Sequence, residues 1–188
     1  MDLQKINVKF FSEEREPTPL ALFIDIFHGW IQATDGVYHD VADYSHMQAG
    51  PGIVLVAQDA HVSIDETGGR RGLLFKQKAR LEGSNVEKLR CVFRSASENC
   101  RKIEQESAVA GKLKFRADEA EITINDRLIA PNTEEGFLDL KTSLEIFLGD
   151  LYSGSTVFIQ RNSDQRECLG VKVNASRRFD VATLLQKL

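Results

Sequence analysis

The sequence is poor in cysteine, with three cysteines among 188 residues. Cys91 and Cys100 fall nine residues apart in a segment of helical periodicity, which separates them by about 13 Å along the helix axis. A disulfide cannot bridge that distance. The N-terminal residues lack the basic and then apolar layout of a signal peptide, and no apolar run reaches the roughly 18 residues of a membrane span. We therefore expect a cytoplasmic protein with no membrane partner.

Familiar catalytic motifs are also missing from the chain. It contains no HExxH, CxxC, EF-hand, P-loop, GxGxxG or GxSxG pattern. The net charge of -4 and the pI near 5.6 disfavour nucleic acid as the main partner, because binding to a phosphate backbone normally requires a basic surface. The sequence leaves open whether the protein is an enzyme.

Hydrophobic periodicity predicts strands and helices in alternating blocks. A composition of 42% hydrophobic and 28% charged residues is typical of a globular domain. Strand pairs with alternating polarity precede amphipathic helices, which favours a mostly antiparallel sheet with helices packed on one face. We therefore predict a single α+β domain over residues 1–188, built as a two-layer sandwich. The predicted strands are 5–11, 53–57, 61–65, 73–79, 113–118, 121–125, 156–160 and 169–174, and the predicted helices are 18–32, 84–111, 133–154 and 180–188.

Residues 35–52 show no clean periodicity and are rich in histidine, aspartate and glycine, which predicts an irregular connector. Functional residues often lie on such loops. In a helical turn, the side chains at positions 40, 43 and 46 would share one face and could hold a divalent metal ion or form a histidine–carboxylate general base. In the simpler interpretation they only cap turns of the loop. The candidate site comprises Asp40, Asp43, Tyr44, His46 and His61, and the candidate metal ligands are His39, Asp43 and His46.

A second group, His61, Ser63 and Asp65, lies on one face of a predicted strand. The residue types are those of a catalytic triad, but His61 and Asp65 are about 13 Å apart along a strand, whereas a triad needs consecutive hydrogen bonds. A solvated strand face is the simpler interpretation. The alternative is that His61 points into the space beside residues 35–52 and completes a site there.

A third group follows the turn at Gly68 and Gly69, where Arg70 and Arg71 precede a predicted strand. Backbone amides and two guanidinium groups could form an anion-binding site at this turn. The alternative is a hairpin tip with exposed charges, which needs fewer assumptions. A P-loop is excluded, because no Gly-Lys-Ser/Thr follows and the next segment is a predicted strand.

Five short segments resemble those of a family of uncharacterised bacterial proteins. They are DVADYSH at 40–46, GPG at 50–52, DETGG at 65–69, NDRL at 125–128 and APNT at 130–133. The resemblance covers most of the chain and implies a bacterial, cytoplasmic protein. It implies no activity, ligand or catalytic residue, because none is attached to that family.

Three functional hypotheses follow. The first is a non-enzymatic binding or interaction module, assembled as a homo-oligomer through an exposed sheet edge or the apolar first helix, with a small molecule as a further partner. The second is a small metal-assisted hydrolase or transferase that uses residues 35–52 and a divalent metal ion. The third is an anion or nucleotide binder at Arg70 and Arg71.

Overall fold

The computed structural model describes all 188 residues and contains eight strands and four helices. None of the helices is long and apolar enough to cross a membrane. The strands are β1 (Ile6–Glu14), β2 (Tyr38–Tyr44), β3 (Gly52–Ala57), β4 (Ala60–Asp65), β5 (Gly72–Gln77), β6 (Leu113–Ile124), β7 (Val157–Arg161) and β8 (Leu169–Ala175). The helices are α1 (Ala21–Ala33), α2 (Asn85–Gln105), α3 (Glu134–Leu151) and α4 (Val181–Leu185).

All eight strands belong to one sheet with the order β2-β3-β4-β5-β1-β6-β8-β7, and every neighbouring pair is antiparallel. In β1, Val8 and Phe10 are buried on the face that carries the helices. The opposite face, which carries Asn7 and Lys9 of β1 and their cross-strand neighbours, is called the open face below. The predicted α+β sandwich with a mostly antiparallel sheet is confirmed.

The start of α2 follows its local sequence, and the start of α1 does not. Ser84 accepts the N–H of Glu87, whose carboxylate accepts the N–H of Ser84, so a capping box begins α2 at the start predicted for this helix. The first predicted helix begins at Thr18, yet α1 begins three residues later with no side-chain cap. That prediction is wrong because the loop holds Thr18, whose N–H donates to Glu14 and whose carbonyl accepts from Arg71.

A strand occupies residues 38–44, so the prediction of an irregular connector over 35–52 is wrong for its central part. β2 pairs with β3, and a bulge interrupts the pairing between Tyr38 and Asp40. The bulge breaks the two-residue alternation, and even the inward Val41 is only half-buried at this edge of the sheet. Because of both effects, the hydrophobic periodicity of the sequence does not predict this strand.

Other predicted boundaries also change. One continuous strand, β6, replaces the two predicted at 113–118 and 121–125, because β1 pairs along most of its length. α2 ends at Gln105 rather than near Gly111, and α4 ends at Leu185. Helix ends are the boundaries that local sequence determines least.

Candidate functional site

The side chains of β2 do not form the cluster expected from a helical turn. Asp40 pairs with Val56 and Tyr44 with Gly52, so both side chains lie on the open face. Asp43 pairs with the buried Ile53 and lies on the opposite face. The shared-face geometry expected for Asp40 and Asp43 is therefore wrong, because side chains three residues apart in a strand point to opposite sides.

The predicted metal ligands His39, Asp43 and His46 are not gathered either. His39 occupies the bulge of β2, and His46 lies in the turn after the strand, with its ring 6.5 Å from that of Tyr44. The structure contains no group of three or more His, Cys, Asp or Glu side chains that could hold a metal ion. The geometry expected for these three ligands is absent, since it depended on a helical turn.

The two carboxylates of β2 bond to backbone of their own segment. Oδ1 of Asp40 accepts the N–H of Val41 at 2.8 Å, and Oδ1 of Asp43 accepts the N–H of Ser45 at 2.8 Å. Hydrogen bonds from the side chain and the backbone of Ser45 hold the pKa of Asp43 below its usual value. These contacts match the simpler interpretation, in which the polar side chains of this segment satisfy backbone donors.

His61 lies on the open face of β4. Its cross-strand neighbours are Val56 of β3 and Lys76 of β5. Asp40 of β2 is the other cross-strand neighbour of Val56, so Val56 lies between His61 and Asp40. Two strand spacings place His61 and Asp40 about 10 Å apart, so His61 does not complete a site with β2. Nδ1 of His61 is buried without a hydrogen-bond partner. Burial, followed by the charges of Lys78 and Lys76, lowers the pKa of this imidazole.

The guanidinium groups of Arg70 and Arg71 are both bonded to carboxylates of the protein. Arg71 donates to Glu66 at 2.6 and 2.9 Å and to Glu14 at 3.3 Å. Arg70 forms a two-bond fork with Glu119 at 2.5 and 3.0 Å. An external anion would have to compete with these carboxylates, and the predicted anion site stays a prediction.

The most deeply buried charges of the open face belong to Lys9 and Asp65. Nζ of Lys9 donates to Oδ2 of Asp65 at 2.6 Å and to the carbonyl oxygen of Thr67 at 3.0 Å. Asp65 also accepts the N–H and the hydroxyl of Thr67. Lys9 is 3% exposed and Asp65 is 1% exposed, so the pair ties the loop of residues 66–71 to the sheet. Sequence reasoning missed this pair, because only the strand order brings the two residues together.

The two edges of the sheet differ in how their backbone is protected. β2 has a bulge and two charged carboxylates, which accept the N–H of Val41 in the strand and of Ser45 in the turn after it. A bulge and charges at a sheet edge disfavour further strand pairing. β7 has no bulge, no proline and no acidic residue. Its one charged side chain, Arg161, turns back to Glu134 at 3.0 Å, and its Phe158 is 61% exposed. The outward backbone of β7, called the β7 edge below, is unguarded and faces no other strand.

One face of α3 lies on the same side of the molecule as the β7 edge. The ion pair between Glu134 and Arg161 of β7 shows that the helix face carrying Glu134 is the one on this side. Leu138, Lys141 and Glu145 follow four, seven and eleven residues later in the helix, which places them on the same helix face. Leu138 is 54% exposed, and Lys141 and Glu145 form an ion pair at 3.6 Å. Glu134, Leu138, Lys141 and Glu145 are called the α3 stripe below.

No protein-family model, curated protein or solved structure matches the chain. The resemblance to a bacterial family therefore stays a prediction.

Proposed function

We propose that the protein is a non-enzymatic interaction module that forms a homodimer through the β7 edge. The observation that carries the proposal is the contrast between a guarded edge at β2 and an unguarded edge at β7. An unguarded edge with an exposed aromatic side chain is free to pair with another extended chain. A second copy of the protein brings a matching edge, and two-fold dimers are the commonest protein assembly.

An antiparallel pair of β7 strands is self-complementary about a two-fold axis. In a pair centred on Ile159, Phe158 of one copy lies opposite Gln160 of the second copy, and the same contact is repeated on the other side of the axis. The two eight-stranded sheets then become one continuous sheet. The exposed Phe158 gains a neighbour across the new strand pair.

The α3 stripe extends this contact on the helix-covered side of the sheet. When two α3 helices approach antiparallel, Lys141 of one copy lies opposite Glu145 of the second copy, and the pairing occurs twice. Leu138 adds exposed apolar surface beside these charges. The stripe matters because a five-residue strand pair alone is smaller than the roughly 1,000 Å² that a stable interface needs.

Light scattering on a size-exclusion column tests the dimer with two matched variants. The wild-type protein should have twice the 21.1 kDa mass of one chain. Leu138→Glu adds a charge to the α3 stripe of each copy, and we expect this variant to have the mass of a monomer. Ile146→Glu is the control, because Ile146 is also 54% exposed but lies about 100° around the helix from Glu145.

One outcome contradicts the dimer, and a second contradicts the place of the interface on the α3 stripe. One is a wild-type mass of 21.1 kDa at high micromolar concentration. The other is an equal loss of mass in Leu138→Glu and Ile146→Glu, which would show that any charge on α3 disturbs the protein.

The proposal includes a reducing, cytoplasmic location, which three cysteines without disulfide partners support. The metal-assisted hydrolase or transferase at residues 35–52 stays a prediction that no observed contact favours. Thermal unfolding in Zn²⁺, Mn²⁺ and Mg²⁺ tests it. A stabilising shift that His46→Ala abolishes would support that activity class, and the absence of any shift would count against it.

A further inference from the structure

A groove of about 520 Å³ crosses the open face between the loop of residues 66–71 and the connection from β7 to β8. Asn7 of β1 lies in its floor, with Lys76 of β5 on one side and Thr123 of β6 on the other. Neighbouring strands are about 4.8 Å apart, so the three polar side chains span roughly 10 Å on a rigid sheet. This open-face groove has the size of a small-molecule site.

The floor of the open-face groove differs from its walls in hydrogen bonding. The side chains of Asn7, Lys76 and Thr123 are half-buried and form no hydrogen bond or ion pair within the protein. The charged wall residues are paired, with one exception at Glu167. The wall pairs are Lys9 with Asp65, Arg70 with Glu119, and Lys172 with Glu121. Apart from Glu167, the polar groups free to bind a ligand are therefore those of the floor.

The floor residues define the chemistry of a matching ligand. The ammonium of Lys76 offers three donors to an acidic group, and no carboxylate of the protein takes them. The amide of Asn7 and the hydroxyl of Thr123 can each donate and accept, as hydroxyl groups of a ligand require. Only Phe11, Leu74 and Pro51 contribute large apolar side chains to the lining, so a mainly apolar ligand does not fit.

We propose that the open-face groove binds a small anion that also carries hydroxyl groups, such as a phosphorylated or carboxylated sugar. Its acidic group contacts Lys76, and its hydroxyl groups contact Asn7 and Thr123. The inference does not depend on the dimer. β8 separates the three floor strands from the β7 edge, so a ligand in the groove leaves that edge free.

Isothermal titration calorimetry with ribose 5-phosphate and with gluconate tests the proposal, because the two probes share hydroxyl groups and differ in their acidic group. At least one probe should bind saturably at millimolar concentration, and neutral ribose should bind more weakly. Lys76→Met should weaken binding about tenfold or more, since it removes a charge-assisted hydrogen bond. Thr123→Val should cause a smaller loss.

Lys112→Met is the matched control. Lys112 is an exposed lysine outside the groove with no ion pair, and its replacement changes the net charge by the same amount. Binding to Lys112→Met should equal that of the wild type. The proposal is overturned if neither probe saturates, or if Lys112→Met loses as much affinity as Lys76→Met.

NMR titration of His61 gives an independent readout of where the probe binds. His61 of β4 is the cross-strand neighbour of Lys76, and the charges of Lys78 and Lys76 help to lower the pKa of His61. An anion on Lys76 offsets this positive field, so the pKa of His61 should rise when the probe saturates the protein. An unchanged pKa in the saturated complex would place the probe elsewhere and overturn the assignment.

Discussion

The two edges of the sheet differ in how well they resist pairing with another strand. Every sheet edge exposes N–H and C=O groups that can pair with another chain. At β2 a bulge distorts the strand, and Asp40 and Asp43 accept nearby backbone N–H groups. At β7 these features are missing and Phe158 is exposed. Strand pairing is therefore hindered at one end of the sheet and permitted at the other.

In the proposed dimer, this asymmetry limits the size of the assembly. A sheet with two free edges can add copies at both ends and grow into an open filament, whereas a two-fold contact through a single edge closes after two copies. The proposed dimer follows from the guard on β2 together with the free β7 edge.

The largest expected effect is that of a substitution at the centre of the sheet, because it changes the stability of the fold and not the pairing of an edge. Asp65→Ala leaves the ammonium of Lys9 buried without its carboxylate, and we expect the free energy of unfolding to fall by about 3–5 kcal/mol. The double variant Lys9→Met with Asp65→Leu removes both charges and should recover most of the loss. Urea unfolding followed by circular dichroism measures both changes.

The folded fraction of these central variants should keep the mass of a dimer, because the β7 edge is unchanged. Equal stability of Asp65→Ala and the wild type would show that the buried pair does not support the fold. Monomeric mass in the double variant would show that the centre and the edge are not independent.

A charge exchange on the α3 stripe should have the next largest effect. Lys141→Glu brings like charges together across the two-fold axis, and we expect the dimer to weaken roughly tenfold. Adding Glu145→Lys restores opposite charges at both positions and should restore the affinity. Sedimentation equilibrium measures the dissociation constants. If the second substitution fails to rescue the first, the two α3 helices do not face each other in the proposed way.

Removing the guard of β2 should have a smaller effect, visible at high concentration. Asp40→Thr with Asp43→Thr removes two charges from the edge strand and frees the N–H of Val41 in β2 and of Ser45 in the following turn, and we expect assemblies larger than a dimer in light scattering. The control is Asp25→Thr with Asp35→Thr, which makes the same charge change at exposed positions outside the strands. Larger assemblies in the control, or none in the β2 variant, would show that these carboxylates are not the guard.

The smallest expected effect is the acid titration of Asp43. Hydrogen bonds from Ser45 lower the pKa of Asp43, so the carboxylate that holds the Ser45 N–H persists above this lowered pKa and is lost as the pH falls through it. NMR of the side-chain carboxyl carbon should give a midpoint below the usual value of about 3.9. Ser45→Ala should raise this midpoint, and a wild-type midpoint at or above the usual value contradicts the contact.

The core of the fold could be predicted because its signals are local. Val8 and Phe10 alternate with polar residues along β1, and the pair Ser84 and Glu87 begins α2 with a capping box. These patterns depend on the residues of one element and on which face it buries. The helix-covered side of the sheet and the α+β class therefore follow from periodicity.

The edges and the contacts of the open face could not be predicted, because they depend on strand order. β7 precedes β8 in the chain, and only the order of the sheet leaves it unpaired on one side. Lys9 of β1 and Asp65 of β4 meet because the order of the sheet places only one strand, β5, between their two strands. The metal-site geometry expected at Asp40 and Asp43 of β2 is absent for the same reason. The residue types are visible in the sequence, but their strand pairing is not.

Amide hydrogen exchange at several protein concentrations tests the contrast between the two edges most directly. If β7 pairs with a second copy, the exchange of its outward amides should slow as the concentration rises through the dissociation constant. The amides of β2 should exchange at the same rate throughout. Exchange in β7 that does not depend on concentration from micromolar to millimolar protein, or protection that appears at β2 instead, would contradict pairing through the β7 edge.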